Sequence, residues 1–287
     1  MQPVPAMTAD APIGVFDSGV GGLSVLRHIR AQLPQEHLVY FADSGFAPYG
    51  AKPERVVAER SLAVAQFLLE QGAKALVVAC NTATIAAVKL LRARYPELPI
   101  VGVEPGLKPA AAASRNGKVA VLATDVTLAG EKFLSLRDQI SSASDAEFFL
   151  RGCPGLVELI EAGELDSART RALLEGYLLP LLDQGADTVV LGCTHYPFVQ
   201  ALIADIAAQA GKPDTVLVDT GQAVARQLAR LLAAAGRERE GGGLARLDVF
   251  TTGSATALAA ALHRLLGLAP AVSAVDIGHI PLVPAAN

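Results

Sequence analysis

Tryptophan is absent from this chain, aromatic residues make up only 5%, and just three cysteines occur in 287 residues. So few cysteines exclude a disulfide framework. None of them stands in a CxxC pair, and no His/Cys cluster has zinc spacing, since Cys193-Thr-His195 alone supplies two ligands. Positive charge is also scarce. The net charge is −4 and no basic patch stands out along the chain, which argues against a nucleic-acid partner. No apolar run reaches membrane-spanning length. Residues 1–12 lack the basic segment and apolar core of a signal peptide, so a short disordered tail is expected there, with Met7 an alternative start. The glycines of Asp17-Ser-Gly-Val-Gly-Gly22 have neither the P-loop lysine nor the G-x-G-x-x-G spacing of a nucleotide site. No pyridoxal-lysine motif is recognisable. These absences leave a soluble, cytoplasmic protein with reduced thiols, no metal site and no membrane contact.

What is present is core-forming material: 52% of residues are hydrophobic and 18% charged. A chain of this length has room for two domains or one large α/β domain. One stretch occurs twice. Gln71-Gly-Ala-Lys-Ala-Leu-Val-Val-Ala-Cys80-Asn-Thr82 aligns without a gap on Gln184-Gly-Ala-Asp-Thr-Val-Val-Leu-Gly-Cys193-Thr-His195. Each copy is a short, β-branched apolar run, the signature of a buried parallel strand, and each stops at a cysteine with a helical pattern beyond. Each cysteine is therefore expected at the carboxyl end of a strand, just before a helix N-terminus. Open α/β sheets bind ligands at that edge, and a helix N-terminus favours both thiolates and anions. A lone strand-end cysteine is as often a small buried hydrophobe. The repetition, and His195 two residues beyond Cys193, shift the weight towards chemistry.

The rest of the chain alternates strand and helix patterns. Strands are expected at 13–16, 38–42, 99–103, 118–123, 148–150, 216–219 and 247–251, besides the two cysteine strands. Helices are expected from Leu23, over 53–71, up to about Tyr95, and over 167–184, 223–234 and 256–266. A Gly-rich turn is expected at 241–243 and an irregular tail from Pro270. The punctuation Glu104-Pro-Gly106 marks a lobe crossing. Lys118–Ala123, ending at Thr124, matches the opening strand in length and position and starts a second α/β unit. Mostly parallel sheets follow. Several polar residues have plain readings as well. Asp17 suits a turn or an N-cap, the Asp43–Gly50 loop a surface turn, and Glu158 and Glu161, three apart on one helix face, a solvated surface.

Two thiols facing a cleft allow three chemistries: a disulfide switch, a nucleophile with a resolving partner, or an acid/base pair on opposite faces of one carbon. The last inverts a stereocentre and suits a duplicated scaffold. A thiol pKa of about 8.5 is near enough to neutral for either role, given an ionisable neighbour. Asp17 is the candidate neighbour for Cys80, and His195 with a glutamate for Cys193.

At these residues the chain resembles the glutamate racemases of bacterial cell-wall synthesis. The resemblance runs from about Ile13 to Leu268 and includes Phe16-Asp-Ser-Gly-Val-Gly-Gly22, Pro48-Tyr-Gly50, Cys80-Asn-Thr-Ala83, Cys153-Pro154, Gly192-Cys-Thr-His-Tyr-Pro197 and Thr251-Thr-Gly253. It implies cofactor-independent interconversion of L- and D-glutamate, supplying D-glutamate for peptidoglycan. Cys193 would deprotonate L-glutamate and Cys80 D-glutamate, with Asp17 assisting Cys80, and His195 and Glu161 assisting Cys193. Ser18, Asn81, Thr82, Thr124 and Thr194 would hold the substrate, with the Pro48-Tyr49-Gly50 loop closing over it. The implied fold is two pseudo-symmetric α/β lobes, 1–105 with 219–287 and 106–218, with the active site in the cleft between them. A homodimer and an activating cell-wall precursor are implied too. The chain departs from the family pattern at Ser44-Gly-Phe-Ala47, which is less polar, and at Gly155 and Glu158. Glu158 thus competes with Glu161 for the role beside Cys193. A racemase for aspartate or another amino acid, and a two-lobed binding protein for an acidic metabolite, are the competing readings.

Overall fold

The structure is a computed structural model and describes residues 8–241, 245–278 and 280. Met7, Gly242 and Gly243, and the end of the expected irregular tail lie outside the described residues.

In chain order the first elements are β1 (Ile13–Asp17), α1 (Leu23–Gln32), β2 (Leu38–Ala42), α2 (Glu54–Glu70), β3 (Ala75–Val78), α3 (Asn81–Arg94) and β4 (Ile100–Gly102). Next come α4 (Leu107–Ala113), β5 (Lys118–Ala123), α5 (Asp125–Ala129), α6 (Glu131–Ser144), β6 (Glu147–Gly152), α7 (Leu156–Ala162), α8 (Ala168–Asp183), β7 (Thr188–Leu191), α9 (Gln200–Gln209) and β8 (Val216–Val218). The last are α10 (Gly221–Ala234), β9 (Leu247–Thr251), α11 (Ala255–Leu266) and β10 (Val272–Ala274). Two compact units divide these elements: residues 1–103 with 221–287, and residues 104–220.

Each unit is built on one sheet, and every strand pairing in both is parallel. The first sheet has the order β10-β9-β2-β1-β3-β4 and the second β6-β5-β7-β8. The second order repeats the β2-β1-β3-β4 end of the first, strand for strand. Backbone hydrogen bonds repeat as well. Ala79 donates to the Phe16 carbonyl at 2.7 Å, and Gly192 to that of Leu122 at 2.7 Å. Asp43 donates to Asp17 at 2.9 Å, and Cys153 to Ala123 at 3.0 Å. Cys80 and Cys193 therefore leave corresponding strands at corresponding places.

The continuous apolar runs arise because both faces of each central strand are covered. In the second unit, Ala120, Leu122, Val189 and Leu191 pack with α7, α8 and α9. Val119, Val121 and Val190, pointing the other way, pack with α4 and α6. In the first unit, Leu76 and Val78 join a core with α2 and α3.

Three expectations need correction. The tail from Pro270 is not wholly irregular, because Val272–Ala274 pair in parallel with Val249–Thr251. An edge strand this short needs no periodicity, since its ladder bonds are made by backbone. The strand expected at 148–150 extends to Gly152, as Arg151 and Gly152 continue the ladder along Leu122 and Ala123. And only Cys80 directly caps an α-helix. A 3-10 turn, Tyr196–Val199, separates Cys193 from α9, with Pro197 setting its start.

Candidate active site

One cluster of candidate residues lies in the first unit, at the ends of β1 and β3. Asp17 is the last residue of β1 and is 1% exposed. The Gly19 amide donates to its Oδ2 at 3.0 Å. Gly22 is required here, because a Cβ at that position would lie 2.6 Å from the Asp17 Cβ. Cys80 is the N-cap of α3, with extended backbone, and its Sγ lies 3.6 Å from Ser18 Oγ. Burial pushes the Cys80 thiol up to about 12, with the Asp17 carboxylate acting in the same sense and the Ala83 and Ser18 hydrogen bonds opposing. At neutral pH this thiol keeps its proton. Asn81 and Thr82 occupy the first turn of α3 and are half-buried.

A second cluster lies in the other unit, at the ends of β5 and β7. Cys193 is half-buried, with Sγ 3.6 Å from His195 Nδ1. His195 Nε2 is 3.1 Å from Glu161 Oε1. Thiol, imidazole and carboxylate thus form a line, with the carboxylate oxygen on the ring nitrogen that faces away from the thiol. Both glutamates of α7 are exposed, and Glu161 is the one that reaches His195, Glu158 lying one turn earlier. The carboxylate that the geometry brings to His195 is therefore Glu161. Thr194 is buried, and Thr124 caps α5 through its hydroxyl, 2.9 Å from that of Thr127. Cys153 is buried and bonds to the Arg151 carbonyl at 3.5 Å. Burial pushes its thiol up to about 12, the Tyr196 hydroxyl beside it acting the other way.

The Pro48-Tyr49-Gly50 loop is held from below. Tyr49 is 1% exposed, and its hydroxyl donates to Asp43 Oδ2 at 2.7 Å. Its phenol is committed inward, while a Cβ on Gly50 would meet nothing within 4 Å. Sequence reading did not identify Asp43, Arg60 and Thr252 as one cluster. Their separation along the chain leaves no local signal, although Thr252 lies in the recognisable Thr251-Thr-Gly253. Among the described residues no group of three or more His, Cys, Asp or Glu could hold a metal ion. Among them, too, no helix is long and apolar enough to cross a membrane.

Each unit thus carries a thiol with an ionisable neighbour at corresponding places of a duplicated parallel scaffold. The family model for Asp/Glu/Hydantoin racemase matches residues 13–228, and the chain belongs to this family. It is an amino-acid racemase, an isomerase. The chain is 59% identical over 222 residues to the glutamate racemase of Pseudomonas paraeruginosa, covering 77% of this chain and 82% of that one. It is 51% identical over 278 residues to the glutamate racemase of Ralstonia pickettii, covering 97% and 96%. The crystal structure of Escherichia coli glutamate racemase, in complex with L-glutamate and the activator UDP-MurNAc-Ala, superposes with a TM-score of 0.76 at 35% identity, covering 89% of this chain and 95% of that one.

Proposed function

We propose that this protein interconverts L- and D-glutamate without a cofactor, using Cys193 and Cys80 as paired acid and base, and that the D-glutamate serves peptidoglycan synthesis. The observation that carries this reading is the equivalence of the two thiols at repeated strand ends, each with its own ionisable partner. In the L-to-D direction Cys193, as thiolate beside His195 and Glu161, takes the Cα proton. The Cys80 thiol, kept protonated by burial and Asp17, delivers a proton to the opposite face. In the reverse direction Cys80 must first lose its proton, and Asp17 is the neighbouring carboxylate that assists. Ser18, Asn81, Thr82, Thr124 and Thr194, with the 48–50 loop, hold the ammonium and carboxylates. The substrate follows from the glutamate racemases at 51% and 59% identity.

Three unpaired cysteines fit a reducing, cytoplasmic setting. A homodimer and activation by a cell-wall precursor belong to the same reading. Light scattering tests the first, and rates with and without UDP-MurNAc-Ala test the second.

The mechanism is tested in heavy water, following L-glutamate by circular dichroism and Cα hydrogen by NMR. Newly formed D-glutamate should carry solvent deuterium from the first turnover, while unreacted L-glutamate keeps its hydrogen. Cys80→Ser and Cys193→Ser should each lower racemisation by at least ~100-fold, the low end for a lost acid or base. Residual exchange should be one-sided, into L-glutamate for Cys80→Ser and into D-glutamate for Cys193→Ser. Near-normal racemisation by either variant, or transfer of substrate hydrogen into product, would count against two bases.

A further inference from the structure

We infer that Asp43, Arg60 and Thr252 are positioning residues for the substrate: they hold the 48–50 loop in its binding shape and tie that shape to the C-terminal segment. The inference rests on the proposed role of this loop in holding glutamate.

Asp43 follows β2 and is fully buried. Its two oxygens receive hydrogen bonds from three separate parts of the chain. Tyr49 Oη and Arg60 Nε donate to Oδ2 at 2.7 and 2.8 Å. Arg60 Nη2 and Thr252 Oγ1 donate to Oδ1 at 2.7 and 2.6 Å. This is a bidentate, charge-assisted pair with two hydroxyl donors added, the most geometrically specific form such a contact takes. Thr252 Oγ1 also accepts from the Gly45 amide at 3.1 Å, so one hydroxyl links the start of the loop to the carboxylate beneath it. Gly45 lies so close that a Cβ there would be 2.4 Å from the Thr252 carbonyl oxygen. Arg60 Nη1 extends the cluster by donating to the carbonyls of Ile277 and Gly278 at 2.9 and 3.3 Å. The Phe46 ring is flanked by Lys52 Nζ at 4.7 Å and the Arg60 guanidinium at 4.9 Å. Phe46 belongs to the stretch that departs from the polar family pattern, and here it closes the cluster with an aromatic face.

A cluster serving stability alone would sit under any loop. This one is placed so that the only side chain it takes from 48–50 is Tyr49, leaving Gly50 towards open space. Loosening it frees backbone that is otherwise pre-organised, and the cost falls on binding rather than on proton transfer.

The test is steady-state kinetics in both directions on folded Thr252→Val, Thr252→Ser and Arg60→Lys, with thermal melts. Thr252→Val should raise KM for both enantiomers by about three- to tenfold, the scale of one lost hydrogen bond, with kcat within about twofold. Thr252→Ser keeps the hydroxyl and should restore wild-type KM. Arg60→Lys keeps the charge but loses the fork, and should raise KM as Thr252→Val does, whether or not Thr252→Val folds. Unchanged KM in folded Arg60→Lys, a fall in kcat at constant KM, or a Thr252→Ser variant as impaired as Thr252→Val would overturn the inference. A wild-type protein inert towards glutamate would instead sink the proposed function.

Discussion

At the scale of single residues, the two thiols have unlike surroundings. Cys80 is buried against a carboxylate; Cys193 is half-buried and meets an imidazole. Beside Cys193, the Nε2 of His195 meets Glu161 Oε1 at 3.1 Å. Glu161→Gln should lower kcat/KM by about tenfold or more, within the range for acid/base groups and their supports. Because the enantiomers have equal free energy, that loss must be the same in both directions, and any asymmetry should show only in kcat and KM separately. Glu158→Gln should stay within about twofold. A larger effect at Glu158 than at Glu161 would reassign the supporting role. Both glutamates were legible as a pair three apart on one helix. Which of them meets His195 was not, because that depends on how α7 is set beside the turn after β7.

At the scale of elements, the repeat explains what sequence could and could not convey. The cysteine strands and β5 stand out because burial on both faces leaves an uninterrupted apolar run. α6 does not stand out, since only Phe133 and Ile140 along it are buried, too few to mark a face. The Asp43 cluster was invisible because its members are joined only by tertiary folding. A further pair of this kind lies at the amino ends of the strands. Lys74, aligned in the repeat with Asp187, is fully buried and bonds to Glu36 at 2.5 Å and to the Ala9 carbonyl. Glu36 also accepts from the Arg239 amide at 2.8 Å. In the other unit Asp187 fills the same post, accepting from Ser114 at 2.6 Å and from the Arg115 amide at 2.8 Å. The aligned residues differ in charge, but each fastens a loop to the start of its strand. Lys74→Met leaves the Glu36 carboxylate buried without its cation and should cost about 3–5 kcal/mol. Urea unfolding measures this, and a loss under about 1 kcal/mol would show that Glu36 is satisfied by its other partners.

At the scale of the whole molecule, buried thiols give stability a definite alkaline limit. Cys80 and Cys153 are both pushed from 9.0 up to about 12. Each is protonated in the folded chain where the unfolded chain would already be losing its proton. Their contribution is complete below pH 9 and is lost as pH rises towards 12, at up to ~1.4 kcal/mol per pH unit for each group. Urea midpoints should therefore fall from pH 8 to pH 10.5, and fall less steeply in Cys153→Ala, whose lower starting stability is a separate cavity effect. Equal slopes for the two proteins would show that Cys153 does not titrate with unfolding.

The sheet order also fixes a sequence of events at the ribosome. β2 takes β9 as its outer neighbour, yet β9 is made only after the whole of residues 104–220. Until then one edge of β2 carries backbone groups with no strand beside them, next to a row of apolar side chains. The nascent chain must keep that edge from pairing with other chains throughout the synthesis of the inserted unit. That unit, contiguous in sequence, can complete its own sheet first. A translation arrest before Leu247 would release a protein holding both thiols, Cys80 and Cys193, but lacking Thr252, β9 and β10: its first sheet would keep an open edge, with aggregation the physical consequence.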